Sequence, residues 1–597
     1  MTVDTDTLSG RTFGNEGRLP RVPLPTLEES CATFLAWCAP LLTEDELAAT
    51  QTAVAAFLSP ASPARKLQEA LERYDESEGV QSWLDAFWAE RYLGRRDRIA
   101  LNANFFFLFE SSDLGQIERA AGLIAAAVNY KLLLDEERIP TVVQDGRALS
   151  MEQHKSLFST TRIPGPVQDT IRAPDGPSQE RHVVVFRHGR MFRMDVIGAT
   201  GRPHTLEDLA SGLRSLTARS VEGAAPSVGH LTTKPRAEWA ESRRALLAHR
   251  GNARALDAIE TALFCACLEE SEPCDALEAC DELLHGDSGN RWFDKAVSLI
   301  VFPDGTSGVN VEHARLDGIT VLDFVDTLLA QSPEEHSLQS GAEPQGSPAI
   351  EAIEFDLDGD LQADVQASAA SFAAHAADTA TTVLSGEDFG ADRVKELDMS
   401  PDAFVQMAFQ LAHKRARGVV GATYEAIATR QYRHGRTEAM RVVTPEVIDF
   451  VAAMEDPEAD ATTRRAAFRA AAEQHVQRAK ECRAGRAPEQ HLWELQMIQR
   501  RHGEALGACE PLALYESPGW LVLRNDYLST STAPSTRVRY GGFGPTGDRC
   551  IGISYMLFPD RFNLHLSTRR SLAHEMLQFS DALPGILREL QDLLACE

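Results

Sequence analysis

His313 stands where a short sheet hands over to a loop, a placement that suits a general base. Ala296 to Phe302 is an apolar, β-branched run that predicts a buried strand. Pro303-Asp304-Gly305 supplies turn chemistry, because Pro presets φ and Gly accepts a positive φ. Thr306 to Glu312 predicts the returning strand, which delivers His313 at its far end. A base must be held rigidly and still reach its substrate. Asp317, four residues on, is placed to orient the imidazole or balance its charge. Histidines also pack and hydrogen-bond in cores. This chain has 17 of them, so position alone leaves His313 a candidate.

The other chemistry-bearing patterns lack their contexts. Gly542-Phe543-Gly544-Pro545-Thr546-Gly547 has the spacing of a dinucleotide loop. That loop needs a helix directly after it to face a pyrophosphate. The segment that follows, Cys550 to Phe558, reads as a strand. Gly286-Asp287-Ser288-Gly289 matches a serine-protease block in letters only, since no triad partners can be placed. Cys265, Cys267, Cys274 and Cys280 cluster without the CxxC spacing of a zinc site, so no metal centre is expected. The ten cysteines read as buried thiols in a reducing cytoplasm.

A chain of 597 residues is too long for one ordinary core, so two or more lobes are expected. A net charge of −29 argues against nucleic acid, because phosphate polymers need basic faces. An anionic ligand would need a local basic patch. The start, MTVDTDTLSG, shows no targeting pattern. Ala120 to Leu134 is too short and too polar for a bilayer span. A cytoplasmic protein without a membrane anchor is expected.

In chain order, 1–18 reads as a disordered tail. Thr26 to Leu58 predicts two helices, the second opened by a capping box at Thr43 and Glu46. A strand is expected within Asn102 to Glu110, a helix from Ile117 to Leu134, and a hairpin from His182 to Val196. Arg236 to Glu269 reads as broken helix. Gln331 to Pro348 is rich in Ser, Pro, Gly and Glu and reads as a linker that crosses between lobes. Helices are expected at 360–384, 401–416, 419–433, 445–453, 463–483 and 491–506. Strands are expected at 519–524, 537–540, 552–558 and 562–567, before a final helix. The division that follows is a tail (1–18), a helical segment joining the C-terminal lobe (19–75), an N-terminal lobe with the histidine (76–330), a linker (331–350) and a C-terminal lobe (351–597).

Several blocks together resemble the carnitine/choline acyltransferase family. They are Leu19-Pro20-Arg21-Val22-Pro23, Arg162-Ile163-Pro164-Gly165-Pro166 with Asp169, and Asn290 to Lys295 followed by Glu312-His313-Ala314 and Asp317-Gly318. Later come Ser400-Pro401-Asp402-Ala403-Phe404, Thr423-Tyr424-Glu425, Gly435-Arg436-Thr437-Glu438 and Ser529-Thr530-Ser531. They keep the family's order along nearly the whole chain, which is far more specific than any one alone. The resemblance implies an α/β fold of two similar lobes, each a mixed sheet packed with helices, like chloramphenicol acetyltransferase. It also implies an active-site tunnel between the lobes, with His313 near its middle.

The activity implied is direct transfer of an acyl group between coenzyme A and an alcohol, with no permanent cofactor. His313 would act as base, Ser531 as oxyanion donor, and Asp317 with Arg436 as an ion pair that orients the histidine. Lys395 matches a coenzyme A lysine in the segment Phe389 to Lys395. Ala391 replaces the other lysine, and Arg393 stands in for it. Asp402 matches a carboxylate on the pantetheine side. Tyr424 and Thr437 match carnitine-binding positions, but the arginine of that set is replaced by Gln490. Ser529, Ser531 and Phe543 complete the acceptor side, with Ser531 and Phe543 matching residues near a quaternary ammonium. Short-chain members carry Met ten residues after the second Ser of S-T-S, where this chain has Gly541, so a medium or long acyl chain is expected. The acceptor expected is carnitine or a related amino alcohol, and the enzyme is expected to be a monomer. Two alternatives stay open: a specialised-metabolite alcohol acylated from acyl-CoA or an acyl carrier protein, and a binding protein without catalysis.

Overall fold

Val297–Val301 and Ser307–Val311 pair antiparallel around the Pro-Asp-Gly turn, as the sequence requires. Gly305 has φ +83, and a Cβ there would lie 1.8 Å from the Leu114 carbonyl oxygen, so only glycine fits. The computed structural model describes residues 9–218, 226–386 and 390–595, which fold as two units.

The first unit comprises Met1–Arg18, Ala89–Thr379 and Ala533–Gly544. Its eight-stranded sheet runs Ile350–Ile353, Arg190–Asp195, His182–Arg187, Cys265–Leu268, Val297–Val301, Ser307–Val311, Phe105–Phe109, Val538–Phe543. The last strand lies within the 351–597 range read as a C-terminal lobe, yet it pairs here. Gly541 and Gly542 stand opposite Phe107 and Phe106, so the bulky phenylalanines meet partners without side chains.

Three expectations change in this unit. Cys265–Leu268 is a fully buried strand, not the end of a helix. It runs parallel to both neighbours, His182–Arg187 and Val297–Val301, and such central strands carry no polar alternation to reveal them. The 331–350 linker contains a helix, Pro333–Gln339, opened by a reciprocal Ser332–Glu335 capping box, and ends in the strand Ile350–Ile353. The chain passes to the second unit's segment only at Ala380. Of the 1–18 tail, residues 9–18 are ordered by polar contacts. The Thr12 hydroxyl donates to the Ile139 carbonyl at 2.6 Å, and the Glu16 carboxylate accepts from the Met151 amide and the Ser150 hydroxyl. Residues 1–8 lie outside the described residues.

The second unit comprises Leu19–Trp88, Ala380–Thr532 and Pro545–Glu597. Both early helices form, and Thr26–Glu29 and Thr43–Glu46 cap them reciprocally. The six-stranded sheet runs Thr379–Gly386, Phe562–Arg569, Ile551–Leu557, Leu528–Thr532, Thr423–Ala428, Thr437–Arg441. Thr423–Ala428 replaces the helix expected at 419–433. Its Ala and Glu favour helix locally, but buried and half-buried residues alternate along it and two strands flank it. The helix expected at 360–384 stops at Ala377, and the β-branched Thr379–Gly386 continues as strand. Pro518–Leu523 is a helix rather than a strand, started by the Ser517 cap and Pro at its first position.

The ladder gives this sheet two unlike faces. Ile427, Leu528, Ile551, Ile553, Tyr555, Leu564 and Leu566 lie in the unit's apolar core with the helices Pro401–Arg417 and Ala573–Ala595. Tyr424, Ser529, Ser531, Ser554 and His565 share the opposite, polar face.

Candidate active site

The His313 ring is held with one nitrogen already committed. Its Nδ1 lies 2.6 Å from the Leu316 carbonyl oxygen. A carbonyl can only accept, so Nδ1 carries the proton and the neutral ring presents its lone pair at Nε2. The Tyr92 hydroxyl is 3.3 Å from Nε2. The rings of Tyr92 and Phe105 pack at 4.9 and 5.1 Å from the imidazole. The side chain stays 29% exposed, so Nε2 is held and still reachable.

The turn that carries His313 is anchored by charge. Glu312 accepts from the Ala314 amide at 3.1 Å with one carboxylate oxygen and from Arg162 at 3.0 Å with the other. Arg162 also donates to Asp169 at 2.7 Å and to the Tyr92 carbonyl at 2.7 Å. Arg236 continues the array to Asp169 at 2.6 Å and Asp294 at 2.8 Å. Burial pulls the Arg162 guanidinium down, but Glu312 and Asp169 outweigh it and hold its pKa above the usual value. Burial alone would raise Asp169, yet Arg236 and Arg162 keep it below the carboxylate range. Asp294, fully buried, is pushed up to about 6 by desolvation, which Arg236 only partly offsets.

Asp317 is 3.7 Å from His313 Nδ1, too far for a direct hydrogen bond, so its charge acts through space. Gly541 and Phe543 occupy the sheet face that also bears Phe107 and Phe105, their direct partners. Phe105 touches both the Phe107 ring and the His313 ring. The sequence reading thus placed His313, Asp317, Gly541 and Phe543 in one neighbourhood. It missed Tyr92, which sits far away in sequence at the end of the helix Asp85–Leu93 and carries no motif.

In the second unit, Tyr424 pairs with Ser529, and Ser531 follows on the same polar face. Gln490 donates to the Thr437 carbonyl at 2.7 Å, while its buried Oε1 has no hydrogen-bond partner among the described residues. Arg441, across from Tyr424 and 5.7 Å from its ring, is clamped by both oxygens of Glu489 at 2.6 Å and by Asp526. Its charge is therefore committed. The Arg436 guanidinium lies 5.1 Å over the Trp88 ring.

Asp402 sits on the helix side of the sheet. It accepts from the Tyr555 hydroxyl at 2.7 Å and lies 3.1 Å from His475 Nε2. Glu425, 3.5 Å from the same nitrogen, completes a cluster that sequence reasoning missed, because its members are far apart in the chain. Burial and the nearby Asp402 push Glu425 well above the carboxylate range. Burial would raise Asp402 too, but the His475 contact keeps it low. Lys395 and Arg393 form exposed pairs with Asp392 and Glu396 on the short helix Ala391–Glu396. Such pairs are weak, which leaves both cations available to an anion. Ala391, at the position of the absent lysine, is buried. Phe389 lies outside the described residues.

An imidazole with Nδ1 committed stands in the first α/β unit and a polar strand face in the second, and comparison with known proteins places the chain in the class of acyl-transfer enzymes. The Choline/Carnitine o-acyltransferase family model matches residues 22–584. Carnitine O-acetyltransferase of Columba livia is 29% identical over 586 residues, covering 95% of this chain and 91% of that protein. Choline O-acetyltransferase of Rattus norvegicus is 29% identical, covering 96% and 92%. The mitochondrial carnitine O-palmitoyltransferase 2 of Mus musculus is 28% identical, covering 93% and 89%. The chain belongs to the choline/carnitine O-acyltransferase family and is an O-acyltransferase that uses acyl-CoA as substrate. Among the described residues, no helix is long and apolar enough to cross a membrane.

Proposed function

We propose that this enzyme moves a medium- or long-chain acyl group between coenzyme A and the hydroxyl of an amino alcohol, with His313 as the base. The observation that carries this is the Nδ1 contact with Leu316, which leaves Nε2 as the basic atom. Nε2 takes the hydroxyl proton as the alcohol oxygen attacks the thioester carbonyl. The tetrahedral intermediate collapses, the C–S bond breaks, and the imidazolium returns the proton to the thiolate. Ser531 is assigned as donor to the oxyanion, and Asp317 and Arg436 as groups that orient the base. Lys395, Arg393 and Asp402 are assigned to coenzyme A. Tyr424, Thr437, Gln490, Ser529 and Phe543 are assigned to the acceptor. The test is thiol release from acetyl-, octanoyl- and palmitoyl-CoA with carnitine, choline and other alcohols. No release with any pair would leave a binding protein as the better reading.

Gln490 favours a second reading, an acceptor without a carboxylate. A hydrogen bond to a carboxylate is worth about 1.5–3 kcal/mol, and a guanidinium offers two in a fork with a full charge, whereas the Gln490 amide carries no charge and already donates to the Thr437 carbonyl. Gln490→Arg is expected to raise kcat/KM for carnitine relative to choline by about tenfold or more, the equivalent of ~1.4 kcal/mol. An unchanged ratio would mean that another cation reads the carboxylate, or that none is needed.

Gly541 carries the chain-length expectation. It stands opposite Phe107, whose ring meets Phe105 beside His313. Each methylene buried there contributes about 0.8 kcal/mol. Octanoyl- and palmitoyl-CoA are expected to be preferred over acetyl-CoA, and Gly541→Met is expected to reverse that order. A wild type that prefers acetyl-CoA would show the space to be closed by other side chains.

A further inference from the structure

Asp317 holds the N-cap position of the helix Gly318–Ala330 and does not cap it. Elsewhere in the chain, N-cap aspartates do the ordinary work. Asp275, Asp358 and Asp460 each accept from the amide three residues on. Giving up such a bond leaves a helix start less stable. The Asp317 side chain is instead turned toward His313 and held there by Gln153.

Gln153 comes from the 3-10 turn Glu152–Ser156, distant in sequence, and grips Asp317 at two points. Its Nε2 donates to Asp317 Oδ2 at 2.8 Å. Its Oε1 accepts from the Asp317 backbone amide at 2.8 Å and from the Thr320 hydroxyl at 3.1 Å. The partners fix the amide's orientation, because a carboxylate only accepts and a backbone N–H only donates. Thr320 is the third residue of the helix, where a capping aspartate would ordinarily bind the amide. That amide instead donates to the Asp317 backbone carbonyl at 3.0 Å, and Gln153 takes the Thr320 hydroxyl beside it while holding Asp317 Oδ2 away from the helix start. The carboxylate is left with Oδ1 facing the imidazole at 3.7 Å.

We propose that Gln153 is a positioning residue for the reaction: it diverts Asp317 from capping its own helix and keeps that carboxylate beside His313, where it balances the imidazolium formed during proton transfer. The proposal rests on the reading of His313 as the base. Within this unit Asp317 lies 3.7 Å and the Tyr92 hydroxyl 3.3 Å from the ring nitrogens, and Glu312, next to His313 in the chain, is tied to Arg162. Of these, Asp317 is the one that Gln153 contacts.

The test uses the whole chain and needs no substrate. Carbethoxylation of His313 by diethyl pyrocarbonate, followed site by site with mass spectrometry, reports the pH at which the imidazole becomes neutral. In Gln153→Met, Asp317 loses the side-chain bond that holds Oδ2, and the midpoint at His313 is expected to fall by about half a pH unit or more, since a counter-charge moved away disfavours the cation. Thr320→Val removes one contact of Gln153 but leaves both of its bonds to Asp317, and should leave the midpoint in place. Turnover of the best acyl-CoA and alcohol pair is expected to drop about tenfold in Gln153→Met, part of the ~10²–10⁴-fold that a general base supplies. A Gln153→Met midpoint equal to that of wild type, or an equal fall in Thr320→Val, overturns the proposal. Activity surviving in His313→Ala would instead overturn the reading beneath it.

Discussion

His313→Ala is expected to lower acyl transfer by about 10²–10⁴-fold while the melting temperature stays near that of wild type, because a positioned base contributes that range. The ring is partly exposed, and its polar contacts include the Leu316 carbonyl, the Tyr92 hydroxyl and the neighbouring Asp317. Removing it takes away the proposed proton acceptor and leaves the Glu312 carboxylate still anchoring the turn through Ala314 and Arg162. The loss should appear in kcat, since the base acts on the transition state rather than on binding. Tyr92 is no substitute: a neutral phenol hydroxyl is a poor base near neutral pH. A His313→Ala enzyme within about threefold of wild type, roughly 0.65 kcal/mol, would rule out His313 as the base.

Much of this neighbourhood was legible in the sequence because it is local. The hairpin that carries His313 is an apolar run, a Pro-Asp-Gly turn and a return strand, and Asp317 lies one turn further on. Capping boxes such as Thr43–Glu46 are equally local and came through intact. What stayed hidden is long-range. Val538–Phe543 joins the first unit's sheet because its glycines face Phe106 and Phe107, a match visible only once the two strands pair. Thr423–Ala428 favours helix by residue type and is strand because its sheet neighbours require it. Gln153 has no motif, and its importance comes from where its amide ends up. The Asp402, Glu425 and His475 cluster joins residues from two helices and a strand that no spacing rule connects.

Arg162 gives the largest expected effect on stability. It is about as buried as a residue can be, 1% exposed, and it touches Asp169, Glu312 and the Tyr92 carbonyl. Arg162→Leu removes the cation and leaves its carboxylates behind. Asp169 retains Arg236 and Arg96. Glu312 loses its ion-pair partner inside the first unit's core. Breaking a buried pair in this way costs about 3–5 kcal/mol, measured by chemical denaturation against wild type. The gap should also depend on pH. Asp169 is held below its ordinary range, so the stability it adds is present above the unfolded aspartate value of ~3.9 and is lost as pH falls through the lowered one. Arg162 is one source of that lowering. The difference between wild type and Arg162→Leu is therefore expected to be largest near neutral pH and to narrow toward acid. Activity should fall as well, even below the unfolding range, because Glu312 would no longer be anchored on the side away from Ala314 and the His313 turn would loosen. A variant as stable as wild type at neutral pH, with turnover unchanged, would mean that Asp169 and Glu312 are carried by other cations and that Arg162 is not what holds the turn.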